Sequence, residues 1–246
     1  MSINTDFVRI VYGGLNFKKL KKRYNSLISE GANINDTDWG YNTLLMNAVL
    51  LGKYEFTKLL LSDKNIDINK KNNNGYTAIT IGLFKMENKT DRIKICELLL
   101  KKKVDLDLVN KDGYTPLCLA SKLGDIEAVK LLLKYEKRHK YYNHISNTNT
   151  TPLIEASKNG YLEIVKLLLE NNVNVNIKNN KGDDAMTISL KNCNEEIALL
   201  LFDKYECNNY EKLLLSCCDK SLTNVAKLII NRPNINLDYY KHSWYN

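Results

Sequence analysis

Adjacent carboxylates at Asp183-Asp184 and Glu195-Glu196, three histidines (His139, His144, His242) and six cysteines are the residues whose types could do chemistry. General acid–base work needs two carboxyls converging on one reacting group, and neighbouring residues on a turn or helix start point in different directions. Zinc needs Cys or His ligands at short regular spacing; no cysteines pair as CxxC and the histidines stand at no ligand spacing. Cys96, Cys118, Cys193 and Cys217 fall within apolar helical patterns and read as reduced small hydrophobes. No glycine-rich phosphate loop, dinucleotide turn, nucleophile elbow or His-Glu-x-x-His pair occurs. The expectation is therefore a chain that is not an enzyme and has no cofactor and no metal.

Charge offers a second kind of chemistry. The net charge is +8, almost all from lysine, which favours acidic partners through long-range steering and says nothing about fold. The run Lys18-Lys19-Leu20-Lys21-Lys22-Arg23 is the nucleic-acid candidate, but Phe17, Leu20, Tyr24, Leu27 and Ile28 recur through it at helical spacing. Its lysines are expected on the wet face of an amphipathic helix. Lys101-Lys102-Lys103 closes a leucine-rich helix, where cations complement the helix dipole. No stretch approaches the roughly 18 apolar residues of a membrane span, and the polar start has no signal-peptide character. Those features predict a cytoplasmic protein, the cytoplasm of a host cell included.

The elements that carry these residues repeat. Gly113-Tyr114-Thr115-Pro116-Leu117 runs through Ala120 and Gly124 to Leu131-Leu132-Leu133, and Thr151-Pro152-Leu153 runs through Ala156 and Gly160 to Leu167-Leu168-Leu169. With the residue two before the threonine as zero, units start at Tyr41, Gly75, Gly113, Asn149 and Gly182, in steps of 34, 38, 36 and 33 residues. Thr43, Thr77, Thr115, Thr151 and Asp184 are placed to cap a first helix, with Pro116 and Pro152 at its first turn. Gly52, Gly124 and Gly160 mark the turn into a second, leucine-rich helix too apolar to stand alone. Between units the period drops to two, at Ile66 and Ile68, at Val104, Leu106 and Leu108, and at Val173, Val175 and Ile177, which predicts short extended arms with turns at their tips.

In these recurring Thr-Pro-Leu, Ala, Gly and Leu-Leu-Leu elements the chain resembles the ankyrin-repeat family, over residues 6 to 238, at the family's period of about 33. The resemblance implies an all-α repeat solenoid of stacked helix-turn-helix pairs with short β-hairpin-like arms, about seven units including degenerate end caps. It implies one domain over 1–246: a cap unit at 1–37, five central repeats at 38–209, a cap unit at 210–238 and a short tail at 239–246. The third unit departs from the family pattern by some five extra residues near Lys85 to Arg92, and the last has Lys212 where a cap is expected.

The resemblance further implies a non-enzymatic module that binds a protein on its concave face, as adaptor, inhibitor or targeting subunit. Nine residues past zero stand Leu50, Phe84, Lys122, Lys158 and Lys191, the last three forming a lysine row that suits an acidic or mixed protein surface. Trp39, Tyr76 and Tyr114 are expected as exposed arm-tip aromatics, which make strong interface anchors. Tyr141 and Tyr142 sit in an irregular stretch, 134 to 149, that suits a partner loop. The expected partner is another protein, with no nucleic acid and no membrane, and the free chain a monomer. The alternatives are a nucleic-acid-associated protein using its basic surface, and a non-catalytic subunit of an enzyme complex.

Overall fold

The computed structural model describes residues 10–86, 89–102, 104–135, 143–147, 149–204 and 210–231. They fold into a short 3-10 turn, Ile10–Gly13, and α-helices in pairs, divided into two compact units at Pro116.

Unit one holds α1 (Phe17–Ser29), α2 (Leu44–Leu50), α3 (Tyr54–Leu60), α4 (Ala78–Lys85) and α5 (Lys89–Lys101). Contacts run α2 to α4 and α1 to α3 to α5, so first helices stack in one row and second helices in another. In the first repeat the 3-10 turn meets α1 and α2, the place a first helix would occupy. Helix α1 buries Leu20, Tyr24 and Leu27 and leaves Lys18, Lys19, Lys21, Lys22 and Arg23 exposed, which is the solvated face its spacing predicts. Tyr24 meets Phe56 edge-on at 5.8 Å and donates to Asp63 at 3.1 Å, tying α1 to the next repeat. The extra residues of the third repeat lead into the 13-residue α5, whose Arg92 donates to the Leu83 carbonyl of α4 at 3.0 Å.

Unit two holds α6 (Pro116–Leu123), α7 (Ile126–Tyr135), α8 (Pro152–Lys158), α9 (Leu162–Glu170), α10 (Ala185–Lys191), α11 (Glu195–Phe202), α12 (Tyr210–Asp219) and α13 (Thr223–Ile230). Here α8, α10 and α12 form the first-helix row and α7, α9, α11 and α13 the second. At Thr43, Thr151 and Asp184, three of the five expected positions, the cap bond is in place. Thr151 accepts from the Ile154 amide at 3.2 Å and Asp184 from the Thr187 amide at 2.9 Å, as Thr43 does from Met46 at 3.2 Å in unit one.

Between first and second helix the chain enters the left-handed region at Gly52, Gly124, Gly160, Cys193 and Ser221. The next amide returns to a carbonyl inside the first helix, at Ala48, Ala120, Ala156, Ser189 and Cys217. Cys193 is thus an exposed turn residue and not the core residue its sequence context suggests, whereas Cys96, Cys118 and Cys217 are buried.

The arms differ from the expected hairpins. Among the described residues no strand forms, only an isolated bridge between Thr37 and Thr43. Neighbouring arms are joined by single backbone bonds at their tips, as from the Lys111 amide to the Asn74 carbonyl at 3.1 Å, and by asparagine side chains: the amides of Asp67, Asp105 and Asn174 donate to the Oδ1 of Asn35, Asn69 and Asn143 at 2.7, 3.0 and 2.8 Å. The alternate apolar residues still face inward, with Val104, Leu106, Val173 and Val175 buried.

Repeat stacks lose stability where apolar faces lack cover. Helix α9 buries Ile164, Val165, Leu168 and Leu169, whereas α13 buries Val225 and Ile229 and exposes Leu228 and Ile230. Hydrogen exchange is accordingly expected to be faster at 213–230 than at 153–169, and the reverse order would contradict the nearest-neighbour account of the stack.

Candidate protein-binding surfaces

Each arm tip is one turn built five times. The amides of Asp38, Asn72, Asn110, Ser146 and Asn179 donate to the carbonyl four residues on, and their own carbonyls accept from the amide three residues on. That third residue, the zero position of the repeat, has positive φ in all five: Tyr41, Gly75, Gly113, Asn149 and Gly182. The first residue's side chain closes the turn as well, Asn72 Oδ1 accepting from Asn74 and Tyr76, and Asn110 Oδ1 from Asp112 and Tyr114.

This geometry decides which tip positions meet solvent. The residue just past zero is held against the protein: Asn42 and Tyr76 are half-buried, and Tyr114, Thr150 and Asp183 are buried. Tyr114, at 7% exposure, is therefore not the exposed aromatic its position suggests. The outward position lies two before zero, at Trp39, Asn73, Lys111, Asn147 and Asn180. Trp39 is 87% exposed. Tyr76 keeps a partly open ring with the Lys85 Nζ over it, 5.6 Å from the centroid. Leu50 and Phe84, near the ends of α2 and α4, are half-buried, and Tyr141 and Tyr142 lie outside the described residues.

In unit two, Lys122, Lys158 and Lys191 are all exposed, at the ends of α6, α8 and α10. The helix ends are stitched through their carbonyls. Asn159 Nδ2 donates to the Lys122 carbonyl at 3.5 Å and Asn192 Nδ2 to the Lys158 carbonyl at 2.7 Å. Asn194 Nδ2 adds a bond to the Ser157 carbonyl at 2.8 Å. The lysines therefore gain a fixed spacing from bonds that do not use their ammonium groups. Lys191 Nζ lies 2.6 Å from Asp183 Oδ1, with 55% of the lysine side chain exposed, so its charge is matched locally. The asparagine stitches were missed in the sequence, although an asparagine follows the lysine at both later ends.

The buried thiols of Cys118 and Cys217 are poor nucleophiles. Burial pushes the Cys118 thiol well up, with Glu155 adding to it and Lys122 opposing; burial, then Cys218 and Glu195, push Cys217 up to about 11. Both are protonated at neutral pH, and the thiolate is the nucleophile.

Comparison with known proteins finds a family match for part of the chain. The family described as ankyrin repeats, in three copies, matches residues 83–179, a stretch that takes in α5 to α9. Residues 83–179 of this chain are ankyrin repeats. The chain is also similar to the human transient receptor potential cation channel subfamily A member 1, 31% identical over 115 residues, which is 47% of this chain and 10% of that protein. The chain thus spans a small part of that relative's length. The five-fold arm turn and the two helix rows are the physical content of the ankyrin repeat here, and no helix among the described residues is long and apolar enough to cross a membrane.

Proposed function

We propose that this ankyrin-repeat chain is a non-enzymatic binding module, an adaptor, inhibitor or targeting subunit, that holds an acidic segment of a partner protein on the first-helix ends of unit two. Ankyrin repeats generally mediate protein–protein interaction. The observation that carries the finer reading is the lysine row: Lys122 and Lys158 stand exposed on helix ends whose carbonyls Asn159 and Asn192 hold together. A row of fixed charges steers an acidic surface mainly by raising its association rate.

Reversal of Lys122 and Lys158 to glutamate is expected to slow association with the natural partner about tenfold at low ionic strength, with the difference shrinking as salt rises. Lys191 is kept, since its reversal would set a carboxylate against Asp183. Surface plasmon resonance is the measurement, and the control reverses Lys130 and Lys227 on α7 and α13, an equal change in net charge. Equal slowing by both doubles would mean that net charge alone acts and the row has no local meaning.

A further inference from the structure

The first arm tip departs from the other four at each position where the fold leaves a choice. Where they place asparagine or serine, it has Asp38; at the outward position, otherwise asparagine or lysine, it has Trp39; at zero, otherwise glycine or asparagine, it has Tyr41. The turn needs none of these. Its closure requires one side-chain oxygen, which Asp38 Oδ1 supplies to the amides of Gly40 and Asn42 at 2.8 and 2.9 Å, and which neutral Asn72, Asn110 and Asn179 supply equally well elsewhere. The second carboxylate oxygen, Oδ2, is not needed by the turn and instead accepts from Asn47 Nδ2 at 2.9 Å. Tyr41 occupies φ 60°, a region that costs a non-glycine residue roughly 1–2 kcal/mol, and is 56% exposed.

These residues surround a hollow. A groove of about 520 Å³ is lined, among the described residues, by Tyr12, Asp38, Trp39 and Gly40. Its walls are held by a chain of hydrogen bonds, from the Tyr12 hydroxyl to Asn47 Oδ1 at 2.9 Å and from Asn47 Nδ2 to Asp38 Oδ2 at 2.9 Å. Tyr12 is 51% and Trp39 87% exposed, so two aromatic rings meet solvent beside a carboxylate that no cation among the described residues pairs with. In a chain of net charge +8 this is a local reversal of sign.

From this we infer that the groove between Tyr12 and Trp39 binds an arginine side chain of a partner protein, its guanidinium stacked on Trp39 and paired with Asp38. A planar, weakly hydrated cation suits an exposed indole face and a neighbouring carboxylate at once, and arginine meets both demands better than lysine. The inference rests on the reading that the repeats bind protein, and it is independent of the lysine row of unit two.

The probe is a short, otherwise neutral peptide with one central arginine, and its twin carries citrulline, the uncharged isostere. In ¹H–¹⁵N spectra of the full chain, the Trp39 indole resonance, assigned with Trp39→Phe, reports binding separately from Trp244. The arginine peptide at millimolar concentration should shift that resonance and the Gly40 and Asn42 amides saturably. The citrulline twin should bind about tenfold more weakly, from combined loss of the cation–π and ion-pair contacts. Asp38→Asn keeps the turn acceptor at Oδ1, as Asn72 shows, and loses the bond from Asn47 at Oδ2; it should abolish the difference between the peptides while the amide pattern outside the first arm persists. Equal binding of the two peptides to the unaltered chain, or no shift of the Trp39 indole, overturns the inference, and neither result bears on Lys122 or Lys158.

Discussion

Leu168→Ala is expected to lower the unfolding free energy by about 2 to 5 kcal/mol, because the lost methyl and methylene groups leave a cavity that a stacked interior closes only in part. Leu168 is fully buried on α9, which contacts α7 and α11 in its own row and α8 in the other. The equivalent Leu132 on α7 is buried as well, so Leu132→Ala should fall in the same range. Lys166, two residues before Leu168, is exposed and reaches Glu163 Oε1 at 2.7 Å across one helical turn. Lys166→Ala is expected to leave the melt close to that of the unaltered chain, because exposed ion pairs contribute little. Urea denaturation of the three variants measures this contrast. Equal midpoints for leucine and lysine substitutions would mean that the second helices present a different face to their neighbours.

Gly75→Ala and Gly182→Ala should differ sharply although both glycines occupy the same place in their repeats, with φ of 74° and 76°. A Cβ on Gly182 meets nothing within 4 Å, so the only cost is that of an alanine in the left-handed region, roughly 1–2 kcal/mol. A Cβ on Gly75 would stand 2.9 Å from Asn110 Cα and carbonyl carbon and from the Lys111 nitrogen. Those atoms are backbone, and the Lys111 amide is itself bonded to the Asn74 carbonyl at 3.1 Å. Two arms would have to part, which adds roughly 1–3 kcal/mol to the conformational cost. Thermal melts should therefore place Gly75→Ala well below Gly182→Ala, and equal losses would show that the arms do not approach so closely.

The repeat register was readable because it rests on local chemistry. A capping oxygen, a proline in the first turn and a residue that enters the left-handed region each leave a mark at a fixed offset, and all five zero positions read from the sequence have positive φ. The wet face of α1 was readable for the same reason, since burial of Leu20, Tyr24 and Leu27 follows helical spacing. What was not readable depends on where the next repeat lies. Sequence gives no direction to the Tyr114 side chain in its turn, and the bond from the Tyr114 amide to Asn110 Oδ1 helps to set that direction. The asparagine bonds were not legible in the sequence either: Asn35, Asn69, Asn143, Asn159 and Asn192 each bond a backbone group in a neighbouring repeat. Cys193 follows the same logic, taking a glycine's place in a turn where an apolar run suggested core.

The lysine row too was legible as a position and not as an electrostatic object. Counting nine residues from zero found Lys122, Lys158 and Lys191, but only the folded chain sets Asp183 against Lys191. Position 158, between its two neighbours in the row, is the place to look for a partner.

Site-specific photo-crosslinking tests the central claim most directly. Benzoylphenylalanine replaces Lys158 in one form of the full chain and Lys166 in another, both exposed, one on a first helix and one on a second. Irradiated in the cells where the chain acts, the form altered at 158 is expected to join covalently to a partner protein through a segment rich in aspartate and glutamate, and the form altered at 166 to give no such product. A partner joined equally from both positions, or from 166 alone, would contradict recognition through the first-helix ends.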